Sequence, residues 1–178
     1  MAKTTTGNRE QGRATNFSIS AQNPVASTRT FINGSALKIP IDKLKIGSCF
    51  RWIFNVTKTA AGAGPSIYDI SFGTTGTTAD TAIISFTKPP GTAVVDEGLI
   101  IICATIRTIG TTGVAVATFN LTHNLASTGH AVIPCINIVK ISSVFDTTVA
   151  NLIAGLNITT GTSDAITIQL VQSESWNL

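Results

Sequence analysis

From Val25 onward the chain is a succession of short apolar runs cut at near-regular intervals by glycine, proline, threonine and aspartate. Few runs reach the ~11 residues of an average helix, and most alternate between apolar and polar side chains. Residues 25–32, 36–41, 48–58, 66–72, 81–87, 98–109, 113–122, 131–142, 151–159 and 165–173 therefore read as strands. Gly110-Thr-Thr-Gly113, set between two alternating runs, marks a hairpin. The spacing Val149, Leu152, Ile153, Leu156 is helical, but Gly155 and the Thr147-Thr148 pair make it a short loop leading into a strand. The fold expected from this spacing is all-β, an antiparallel sandwich or barrel.

Alternation also fixes the buried faces. Phe50, Trp52, Phe54 and Val56 share one parity, as do Tyr68, Ile70 and Phe72, and Ala82, Ile84 and Phe86. Two other runs are apolar on both parities: 99–106, and 131–141 with Val132, Ile136 and Ile138 against Ile133, Cys135, Val139 and Ile141. A two-layer sandwich buries only one face of each sheet inside itself, so the second apolar face calls for another layer. A second copy of the chain is the simplest such layer. Leu99, Ile101, Ile133, Val139 and Trp176 are the candidate subunit contacts.

Charge supports that expectation. Charged residues are 12% of the chain, about half the ~25% of an ordinary soluble domain, and threonine, at 28 of 178 residues, takes their place. Threonine suits a strand and keeps its exposed face wet without adding charge. The net charge of +3 lies in residues 1–31, where Lys3, Arg9, Arg13 and Arg29 face only Glu10, while 32–178 balance eight against eight. Residues 1–24 are polar and aperiodic. The organisation expected is an extended N-terminal arm (1–30) attached to an acidic protein surface, with Lys3, Arg9, Arg13 and Arg29 as its contacts, followed by one domain (31–178).

Chemistry is sparse. Cys49, Cys103 and Cys135 are odd in number and lie in apolar stretches, so no disulfide framework is legible, although Cys49 and Cys103 are placed to fall on neighbouring strands. His123 and His130 have no metal-ligand spacing and are expected at a loop rim. No nucleophile elbow, Cys–His signature or phosphate-binding loop is present. Asp96 and Glu97, adjacent on a strand, must point to opposite faces and cannot converge on a substrate. Asp42, Asp80, Asp146 and Asp164 read as turn formers. Neither an enzyme nor a cofactor is expected. The polar start and the absence of a ~20-residue apolar run predict no leader and no membrane span, and no aromatic-rich basic face predicts specific nucleic-acid binding. An exposed aromatic platform would point to sugar; Tyr68 and Trp176 are the residues to consider, and Trp176 also suits a plug against a neighbouring subunit.

Five phrases carry a family resemblance: LKIGSCFRW (44–52), TKTAAG (57–62), FGTTGTTAD (72–80), LTHNL (121–125) and FDTTVA (145–150). The chain resembles small β-rich structural proteins of tailed bacteriophages. That resemblance implies a trimeric jelly roll serving as capsid decoration (cement) protein, head fibre or tail-fibre tip. It carries no catalytic residues. With only about 30 residues ahead of the body, a decoration or minor capsid role on the virion surface is expected, with the major capsid protein as partner and synthesis in the host cytoplasm. A receptor-binding fibre or spike gripping host-surface glycan is the alternative.

Overall fold

The computed structural model describes residues 14–61, 63–162 and 166–178. Every regular element among them is a strand: β1 (Ala14–Ser18), β2 (Thr30–Phe31), β3 (Leu37–Lys38), β4 (Cys49–Lys58), β5 (Ser66–Gly73), β6 (Ala82–Lys88), β7 (Asp96–Thr108), β8 (Val114–His123), β9 (Cys135–Ile141), β10 (Ile153–Thr159) and β11 (Ile166–Trp176). They form two antiparallel sheets, six-stranded in the order β1-β11-β4-β7-β8-β9 and five-stranded in the order β2-β10-β5-β6, with β3 also on β10. The expected antiparallel sandwich is present. Early and late strands nest, β4 beside β11 and β5 beside β10, while β7, β8 and β9 run as a meander in one sheet.

The expected parity puts Phe50, Trp52, Phe54, Val56, Tyr68, Ile70 and Phe72 between the sheets. Aromatic rings meet there in two chains. One runs Trp52–Phe50–Phe72–Phe145, with centroids 6.1, 5.1 and 4.9 Å apart. The other runs Phe54–Tyr68–Phe119–Phe86, at 6.1, 5.1 and 5.7 Å. The Trp52 indole N–H, which would be costly to bury unpaired, donates to the Ser35 carbonyl at 2.8 Å.

Three expectations need correction. The runs at 25–32 and 36–41 shrink to the two-residue strands β2 and β3, and that at 131–142 begins only at Cys135. Residues 14–30 do not extend away from the body as an arm. β1 pairs with β11 from Ala14↔Ser175 to Ser18↔Val171, and Gln22 and Ala26 make further bridges to Ile168 and Thr160. Backbone hydrogen bonding, which needs no apolar period, captures this segment. Lastly, Arg29, expected as an arm contact, lies with Phe31 across the outer face of the five-stranded sheet. Phe31 lies on Gly155, where a Cβ would come within 2.9 Å of its ring. Arg29 donates from Nε to Asp69 at 2.9 Å and from Nη1 to the carbonyls of Thr78 and Asp80 at 2.7 and 2.9 Å. The Asp80 carboxylate in turn accepts from Thr75 and Gly76 and closes the 74–80 turn, as its turn-former role requires.

Replacing Arg29 by methionine should lower the unfolding free energy by on the order of 3 kcal/mol, since Asp69 would stay buried without its cation. Urea denaturation reads this directly, and an unchanged midpoint would show that the pair contributes nothing.

Candidate functional site

Among the described residues nothing comparable covers the outer face of the six-stranded sheet, and the register shows what stands there. One row across the strands is Phe17–Gln172–Ile53–Ile101–Asn120–Asn137, and the next is Thr15–Glu174–Arg51–Cys103–Thr118–Val139. A third places Trp176, Cys49, Thr105, Val116 and Ile141 side by side. Arg51 and Glu174 are the charges in the middle of this face, and they pair with one another. Glu97 and Arg107 stand at the ends of β7.

The face divides into two halves. Over β7, β8 and β9 aliphatic side chains, Val139 and Ile141 62% and 63% exposed and Leu99 and Ile101 half-buried, alternate with Thr105, Thr118, Asn120, Thr122 and Asn137. Over β1, β11 and β4 it is polar and aromatic, and holds a hollow of about 330 Å³ lined by Thr15, Phe17, Arg51, Ile53, Gln172 and Glu174. Phe17 is 69% exposed, and the Arg51 guanidinium lies over the Trp176 ring, 5.8 Å from its centroid. A bulge in β11 between Ile168 and Leu170 makes this half possible. Ile166 and Ile168 point inward, and strict alternation would send Gln172, Glu174 and Trp176 after them. The extra residue reverses the phase, so that Val171, Ser173 and Ser175 turn inward and those three turn out.

Of the expected subunit contacts, the outer face carries Leu99, Ile101, Val139 and Trp176. Ile133 is half-exposed on the loop before β9. Trp176 belongs to the polar half, beside Arg51. Of the expected arm contacts, Lys3, Arg9 and Arg13 lie outside the described residues, and Arg29 is committed to Asp69. Tyr68 is buried in the core. Cys49 and Cys103 do lie on neighbouring strands facing outward, and both are free thiols. Phe17 was not singled out from the sequence; the alternation of ATNFS is its only signal.

The two histidines are not at a rim. At one end of the sandwich, both side chains are enclosed with Asp96. His123 faces Asp96 Oδ2 with Nδ1 and the Ile133 carbonyl with Nε2, each at 2.6 Å. Asp96 also accepts from the His130 backbone N–H at 2.9 Å. Burial works to raise the Asp96 carboxyl, but hydrogen bonds from His130, Glu97 and His123 hold it below the ordinary aspartate range. Lys58 Nζ reaches the Thr92 and Val94 carbonyls, and Lys88 Nζ that of His130 at 2.9 Å. Together these groups fasten the loops at 89–95 and 124–134. The His130 ring has neither nitrogen hydrogen-bonded among the described residues, and burial pushes it down to about 4. No group of three His, Cys, Asp or Glu among the described residues could hold a metal ion.

No protein-family model matches the chain, and no curated protein matches it. Among solved structures it is similar to the CBM2 module of the evolved Dit of Lactobacillus casei BL23 phage J-1, at 11% identity and a TM-score of 0.38 over 88% of this chain and 76% of that one. It is also similar to arcelin-5, a lectin-like defence protein of Phaseolus vulgaris, at 6% identity and TM-score 0.39 over 93% and 98% of the two chains. A legume lectin-like domain from Entamoeba histolytica follows at 8% identity and TM-score 0.24, over 89% of each chain. Likenesses this distant assign neither a family nor a ligand.

The His130 site makes stability depend on pH. A neutral buried ring refuses the proton that the unfolded chain takes up below about pH 6.5, so the unfolded state binds more protons and stability falls with acid. The loss should run from about pH 6.5 down to about 4 and reach on the order of 3 kcal/mol. Urea midpoints at pH 7 and 4.5 check it; His130→Phe should flatten the slope across that window, and an equal slope in the variant would refute the assignment.

Proposed function

We propose that the chain is a non-catalytic structural protein of a bacteriophage particle, a homotrimer standing on the capsid as a decoration or head-fibre protein. The observation that carries this reading is the half-face of β7, β8 and β9, where Leu99, Ile101, Val116, Val139 and Ile141 stand among threonines and asparagines with no charge at the centre and meet no layer among the described residues. A patch of that kind marks an interaction surface. With its central ion pair satisfied internally, a second copy approaches without like-charge repulsion. Three strands about 4.8 Å apart and about ten residues long present on the order of 480 Å², within the range of exposed patches that mark interaction sites. The nesting of β4 with β11 and β5 with β10 agrees with the rolled topology of jelly-roll virion proteins, and the five sequence phrases point the same way. Attachment to the shell falls to residues 1–13, which carry Lys3, Arg9 and Arg13 against Glu10. Tethering three such segments raises their effective concentration at the capsid.

Adhesion to a host-surface glycan is the second reading, and the Phe17–Arg51–Glu174 hollow with Trp176 beside it is the feature that favours it.

Light scattering on the purified chain should give the mass of three copies at micromolar concentration, and Val139→Glu with Ile101→Glu should yield a folded monomer. A wild-type monomer would end the assembly reading. Removing residues 2–13 should leave the trimer intact and cut its occupancy on phage heads at least tenfold; undiminished occupancy would reject the attachment role.

A further inference from the structure

The chain has eleven aromatic residues. Eight join the two ring chains of the core, and Phe31 covers Gly155. The two that remain, Phe17 and Trp176, are both on the outer face of the six-stranded sheet. Phe17 lines the hollow opposite Gln172, and Trp176 lies beyond its lining, four residues or about 13 Å further along β11, with the Arg51 guanidinium over one side of its ring. Glu174 and Arg51 stand between them, with the Gln172 amide at the Phe17 end.

We propose that this hollow binds a neutral, unbranched oligosaccharide, with one sugar ring on Phe17 and another on Trp176. The inference rests on the adhesion reading and gives it a location. An aromatic ring with an open face packs against the C–H face of a pyranose, and planar amide, guanidinium and carboxylate groups pair with its hydroxyls. A volume of about 330 Å³ is of the size that holds a small ligand. The Arg51–Glu174 pair leaves the hollow without net charge, so an anionic sugar finds no uncompensated cation there. That balance selects neutral sugars over sialylated or sulfated ones. The partner strand geometry is rigid, since β11 is held on both sides by β1 and β4.

The test uses the full chain with cellotetraose, maltotetraose and chitotetraose as probes and 3′-sialyllactose as the charged control, read by saturation-transfer NMR and tryptophan fluorescence. Trp52 is fully buried, so a fluorescence change on binding reports Trp176. At least one tetrasaccharide should bind, with its affinity reduced tenfold or more by Phe17→Ala and by Trp176→Ala, and restored in part by Trp176→Phe. Both side chains are exposed, and a thermal midpoint within 2 °C or so of wild type confirms folding of each variant. Binding that survives both alanine variants overturns the site while leaving adhesion standing, and preference for sialyllactose overturns the class. If none of the three probes binds but the protein still coats host cells, the proposal fails and the adhesion reading does not; loss of both rejects the two together. A change of oligomeric state in Phe17→Ala or Trp176→Ala makes the hollow a subunit contact and also overturns the proposal.

Discussion

The aromatic seam between the sheets is the constraint from which the rest follows. Phe50, Trp52 and Phe54 on one strand must all be covered, and only a second sheet carrying Tyr68, Phe72 and Phe86 is wide enough to do it. Each large ring buried there removes on the order of 150–250 Å² from water. Once that seam consumes the inward face of the six-stranded sheet, its outward face must carry whatever the molecule shows to partners. The five-stranded sheet is spared that role, because Arg29, Phe31 and the turn closed by Asp80 lie across it.

What was legible in the sequence was what alternation encodes. The inward parity of β4 and β5, the hairpin at Gly110, the opposed directions of Asp96 and Glu97, and the turn made by Asp80 all follow from local rules. What escaped was set by groups distant in sequence. β1 is polar and too short to announce itself, and it exists because β11 offers an open edge 160 residues later. The His123–Asp96–His130 cluster needs β7 and β8 in register and the 124–134 loop folded back on them. Arg29, read as a free contact, finds Asp69 forty residues on.

The outer-face site was half legible. Leu99, Ile101 and Val139 were visible as apolar residues on strands apolar on both parities. The polar half was hidden by the bulge in β11, where the adjacent Leu170 and Val171 are the only sequence hint that the phase changes. Electrostatics reinforces the division of labour. Charges buried at one end of the sandwich hold loops through carbonyls and one carboxylate, and the outer face keeps a single internally neutralised pair.

The bulge has a genetic corollary. Because Gln169 is the surplus residue, removing its codon would straighten β11 while Leu170, Val171 and Gln172 keep Asn55, Phe54 and Ile53 as partners, so Gln172, Glu174 and Trp176 would still look outward. A lineage carrying this scaffold can thus lose that codon without turning its outer surface inward.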